Sequence, residues 1–108
     1  MEEILYQVKE NMLVVRLPKE FDHHSAKQVT EQTDWYLVST PLEGIVFDFQ
    51  NTEFMDSSGV GAIIGRFKRI KTKGKLIARN VSPTIERILL ISGLYKIMEK
   101  DEDWNYGK

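Results

Sequence analysis

Two serine hydroxyls stand side by side in Phe54-Met55-Asp56-Ser57-Ser58-Gly59-Val60-Gly61, behind a carboxylate and ahead of a glycine. Asp56, Ser57 and Ser58 are all residue types that accept hydrogen bonds from the free N–H groups of a helix's first turn. A hydroxyl held there lies in the positive end of a helix field, which favours any negative group later attached to it. Capping accounts for one such residue; two consecutive serines are more than one cap requires. Gly59, Gly61 and Gly65 follow, each costing about 1 kcal/mol relative to alanine inside a helix. That cost makes sense if something must approach the backbone there, or if the helix packs tightly on its neighbours.

Other residues with chemical potential fit worse. Ser58, Asp56 and His23 or His24 include the types of a hydrolase triad. Nothing in the chain brings them together, and Gly-x-Ser-x-Gly is absent. Asp48 ends an apolar run, as the phospho-accepting aspartate of a receiver domain does. A receiver also needs an acidic pair after its first strand to hold magnesium, and Ile4 to Val8 leads into none. His23-His24 has too few companions for a zinc site, so contact or capping is the expected role and no metal or cofactor is expected. Arg66, Lys68, Arg69, Lys71, Lys73 and Lys75 form a basic run. At the C-terminal end of a helix it reads as a solvated, dipole-matched face, not a nucleic-acid site.

The elements around the serines are legible from periodicity. Ile4, Tyr6 and Val8 alternate with polar residues, which predicts a half-buried strand. Glu10-Asn11 predicts a turn, and residues 12–17 a second strand paired to the first and ended by Pro18. The loop at 21–25 offers Asp22, His24 or Ser25 as the cap of a helix whose stripe is Ala26, Val29, Thr33 and Leu37. Residues 45–49 are nearly all apolar, as in a strand covered on both faces. Beyond the serines, Val60, Ile63, Ile64, Phe67 and Ile70 make one helical stripe, with Ile63, Ile64 and Phe67 expected against that strand. Lys73-Gly74 predicts a C-cap, residues 75–78 a strand, and Ser82-Pro83 a helix start. That helix stops at Gly93, and residues 94–98 follow as a last strand. Two strands followed by repeated helix–strand pairs predict an α/β fold, a mostly parallel central sheet with an N-terminal hairpin and helices packed on it.

With 108 residues the chain is read as one domain, 1–108, and its net charge of −1 provides no field toward nucleic acid or anionic lipid. It has no cysteine, and no apolar run nears the roughly 18 residues of a membrane span. A cytoplasmic protein is expected.

Residues 54–61 resemble the signature of the STAS-domain anti-sigma factor antagonists. Asp22-His23-His24-Ser25-Ala26 and Ile91-Ser92-Gly93-Leu94-Tyr95-Lys96-Ile97 resemble two further family segments, and the resemblance runs from about residue 3 to residue 99. It implies the STAS fold and a phospho-switched binding module without catalysis. Ser58 is then phosphorylated by the anti-sigma factor, itself an ATP-dependent serine kinase, and a PP2C-type phosphatase removes the phosphate. The unmodified form binds the nucleotide-bound kinase and frees the sigma factor, through Asp22, His23, His24, Met55, Asp56, Ser57, Ser58 and Gly59. A monomer without direct nucleic-acid or membrane contact is expected. The histidines and the Ser57-Ser58 pair resemble the sporulation branch more than the general stress branch. Two departures stand out. Pro18-Lys19 replaces the usual small residue and glycine, and the long C-terminal helix of the family must be short or missing, with Trp104 and Tyr106 expected to cover its patch.

Overall fold

The structure, a computed structural model, describes residues 3–70 and 74–101. Strands β1 (Leu5–Lys9) and β2 (Met12–Arg16) form an antiparallel hairpin. Its turn residues Glu10 and Asn11 both have positive φ, 53° and 68°, the conformation whose twist matches that of the flanking strands. Strand β4 (Gly44–Asp48) pairs parallel with β2, β6 (Lys75–Arg79) parallel with β4, and β7 (Glu99–Lys100) parallel with β6. The sheet order is β1-β2-β4-β6-β7, so the hairpin strand is the one antiparallel member, as the periodicity predicts.

Helices α1 (His23–Ser39), α2 (Ser57–Ile70) and α3 (Pro83–Ser92) supply the connections. Leu13 and Val15 of β2, Ile45 and Phe47 of β4, and Leu76 and Ala78 of β6 alternate onto one buried face. Val29 of α1, Ile63 of α2, and Ile85 and Leu89 of α3 join them in a single core. The helix ends follow the sequence signals. Ser82 caps α3 through its hydroxyl, 3.2 Å from the Ile85 N–H, Pro83 takes the first helical place, and Gly93 ends the helix at φ 78°.

Four expectations change. Phe67 is exposed, and the buried residue at that end of α2 is Arg66, which therefore does not belong to a solvated basic face. Val8 is exposed as well, because β1 is an edge strand. Residues 94–96 form a 3₁₀ turn, Leu94–Lys96, and the last strand is only Glu99–Lys100. Leu94 and Met98 are buried but Lys96 between them is exposed, whereas a strand would put all three on one face. The proposed C-cap at Lys73, the covering role of Trp104 and Tyr106, and the length of any terminal helix lie outside the described residues. Gly74 is described, and a Cβ there would meet the Glu43 carbonyl oxygen at 2.7 Å, so close packing explains that glycine.

Candidate functional site

The serines are placed by two strands that periodicity does not reveal. Strand β3 (Glu20–Phe21) pairs parallel with β5 (Phe54–Met55), in the register Glu20 to Phe54 and Phe21 to Met55. Two residues are too few to show alternation, so no sequence signal could have found either one. The Lys19 carbonyl accepts from the Glu53 and Phe54 N–H groups at 2.8 and 3.2 Å, which ties the Pro18-Lys19 segment to β5. Each strand leads straight into a helix, so α1 and α2 begin side by side, and the Asp56 N–H donates to the Phe21 carbonyl at 3.3 Å.

Both helices are capped by aspartate. Asp22 accepts from the His24 and Ser25 N–H groups at 3.1 and 3.2 Å, and its own N–H donates to Ser25 Oγ at 2.9 Å, a reciprocal capping box. These bonds, the Ser25 N–H foremost, hold the Asp22 carboxyl below its ordinary range. Asp56 Oδ1 accepts from the Ser58 and Gly59 N–H groups at 2.8 and 3.1 Å, while its carbonyl accepts from Val60. Asp56 is therefore the cap of α2. The two serines occupy its first two positions, and neither hydroxyl takes part in a hydrogen bond among the described residues.

Of the other residues expected here, Met55 and Gly59 are buried. They support the surface without forming it. Ser57 is exposed and Ser58 half-buried, and His23 and His24 are exposed in the first turn of α1, not in a loop.

The glycines divide into two kinds. A Cβ on Gly59 would lie 2.5 Å from the Phe21 carbonyl oxygen and 2.8 Å from Met55 Cγ, whereas at Gly61 and Gly65 it would meet nothing within 4 Å. Gly59 lets α2 seat on β3; Gly61 and Gly65 leave a groove open between α1 and α2. His23 and Lys27 line this groove from α1, and Ser58 stands at its start on α2. Gly59→Ala is expected to destabilise the fold by about 1–3 kcal/mol through overpacking. Gly61→Ala and Gly65→Ala should each stabilise it by up to about 1 kcal/mol. Urea midpoints of the three variants check this, and equal losses at all three would refute the distinction.

Asp48 does not stand open like a phospho-acceptor. Its side chain is 3% exposed and accepts from Arg16 Nε at 3.3 Å, Asn80 Nδ2 at 3.0 Å and the Gln50 N–H at 3.0 Å. It ties the ends of β2, β4 and β6 together.

The family description "STAS domain" matches residues 3–104. The chain belongs to the STAS-domain family. Over 88 residues this STAS domain is 44% identical to an anti-sigma F factor antagonist of Paenibacillus polymyxa, covering 81% of this chain and 75% of that protein. It superposes on the anti-sigma factor antagonist SpoIIAA in its unphosphorylated form with a TM-score of 0.80 and 30% identity, over 94% of this chain and 91% of that one. The Bacillus cell fate determinant SpoIIAA in the phosphorylated form gives 0.72 at 30% identity, covering 94% and 95%. The expected STAS fold is thus present, with the paired serines at the start of its second helix. Among the described residues of this STAS domain no three His, Asp or Glu side chains gather as metal ligands, and no helix is long and apolar enough to cross a membrane.

Proposed function

We propose that the chain acts as a single-domain, phosphorylation-switched anti-sigma factor antagonist of the sporulation kind. One observation carries the reading. Asp56 does the capping, so among the described residues the Ser58 hydroxyl is uncommitted, and it lines the α1/α2 groove. A cap would have been held by the helix; Ser58 is free to be modified. The similarity to antagonists named for the anti-sigma F factor, and to SpoIIAA in two phosphorylation states, supports this assignment.

In this reading the partner is a nucleotide-bound anti-sigma serine kinase in the cytoplasm. The unmodified domain docks on it through Ser57, Ser58, the low surface at Gly61 and Gly65, and the first turn of α1. Phosphate on Ser58 ends binding and a PP2C-type phosphatase restores it. The chain acts as a monomer and contributes no catalytic group.

Ser58 is favoured over Ser57 because it lines the groove, whereas Ser57 is exposed beside it. Incubation with the anti-sigma kinase and ATP, followed by phosphopeptide mapping, should label Ser58 in the parent and in Ser57→Ala, and nothing in Ser58→Ala. Label persisting in Ser58→Ala but lost in Ser57→Ala would move the site to Ser57.

A further inference from the structure

The caps create a difficulty for a phosphate at Ser58. Asp56 already occupies the Ser58 and Gly59 N–H groups, the donors that a phosphate in the first turn of α2 would otherwise claim. A phosphoserine carries about −1.5 to −2 charges near neutral pH, and here it stands beside that carboxylate. It must find its counter-charge outside its own helix.

The groove supplies one. His23 and Lys27 lie four residues apart on α1, hence on one face, and line the same groove as Ser58. Neither forms an ion pair among the described residues. The other charged groups lining the groove are Glu31 on α1 and Arg66 on α2, and Arg66 is engaged by Asp34. Asp22 and Asp56 stand at the two caps. His24 differs: it lines a separate groove on the other side of α1, with Glu20, Asp22 and Gln28.

We infer that His23 and Lys27 are the receiving residues for a phosphomonoester on this chain's own Ser58, pairing with it across the α1/α2 groove. This rests on Ser58 being the modified residue. The phosphate then lies over the groove, covering the surface that Gly61 and Gly65 leave low. The pairing depends on pH, since it weakens as the His23 imidazole loses its proton. Of two adjacent histidines, one senses the modification and the other does not.

The test installs phosphoserine at position 58 during synthesis, so that it needs no kinase, and follows both imidazoles by NMR titration with and without the phosphate. The His23 pKa is expected to rise by about one unit, as an opposite charge within several ångströms produces, with His24 moving much less. Phosphorus NMR should show the second phosphoserine pKa, ordinarily about 6, lowered in the parent and returned toward that value in His23→Gln/Lys27→Ala. Both side chains are exposed, so the double variant should fold. Equal shifts at His23 and His24, no shift at either, or a phosphate pKa indifferent to the double substitution would each overturn the inference. Failure of the kinase to label Ser58, with the His23 shift present, would overturn the functional reading alone.

Discussion

Phosphate on Ser58 is expected to weaken binding to the anti-sigma factor by a few hundred- to a few thousand-fold while leaving the domain folded. Docking against α2 would strip water from a group of about two negative charges. It would also set that group against the charge of a nucleotide bound to the kinase. Docking on the first turn of α1 would also compete for His23 and Lys27, and a charge closed into an interface without its partners costs about 3–5 kcal/mol, where each 1.4 kcal/mol is about tenfold in affinity. The fold bears no comparable penalty. The helix field contributes about 0.3–1 kcal/mol in favour of the anion, the Asp56 carboxylate opposes it, and the phosphate stays in water. Ser58→Asp should reproduce part of the loss, having less charge and fewer acceptor oxygens. Ser58→Ala should bind throughout and resist inactivation. Titration calorimetry with the anti-sigma factor gives the affinities, and amide NMR shifts of both forms locate the change. Equal affinity for the two forms would end the switch reading. Shifts spreading into β2 and β6 would mean that the block travels through the fold instead of acting at the surface.

Chain order was legible because the core is patterned. Alternation at Ile4 and Tyr6, the apolar run at 45–49 and the Ser82-Pro83 start each reflect a local rule that tertiary packing obeys. The candidate site stood out for a different reason. Asp56-Ser57-Ser58 joins a cap to surplus hydroxyls, and the surplus carried the signal. What sequence could not divide was labour within the motif. Three candidate caps look alike until the Asp56 carboxylate is seen on two N–H groups, and three costly glycines look alike until only Gly59 meets the backbone of β3.

The two misreadings on α2 share a cause, which is that a helix stripe gives an angle but not which edge of it faces the core. Phe67 lies at one edge of the stripe on α2 and emerges to solvent. Arg66, next to it, turns toward α1 and is buried. A basic run read as a solvated surface therefore hid the buried cation that, with Arg69 beside it, fastens α1 to α2. Its partner Asp34 lies 32 residues earlier, beyond any local pattern. The pair β3 and β5 escaped in the same way, because its evidence is entirely long-range.

That fastening leads to the largest expected effect on stability. Arg66 Nη1 donates to Asp34 Oδ1 and, at 3.2 Å, to Thr33 Oγ1, while Arg69 reaches the same Asp34 oxygen at 3.4 Å. The two ends of the bridge differ: the Arg66 side chain is 7% exposed and that of Asp34 is 35% exposed. Removing the arginine leaves a carboxylate that still has Arg69 and water. Removing the carboxylate leaves a buried guanidinium with one hydroxyl for company, and its Nε already lacks a partner among the described residues. Stripping the partner from a buried charge costs about 3–5 kcal/mol, whereas replacing the charge with an apolar group of similar volume is often close to neutral. Asp34→Ala should therefore be the damaging change, lowering the melting temperature by at least about 12 °C at about 4–8 °C per kcal/mol. Arg66→Met should cost much less, and Asp34→Ala/Arg66→Met should recover most of what Asp34→Ala loses. Calorimetric melts of the three variants decide it. If Asp34→Ala melts within a few degrees of the parent, Arg66 does not depend on Asp34. If the double variant melts no higher than Asp34→Ala, the loss comes from α1 itself and not from a stranded charge on α2.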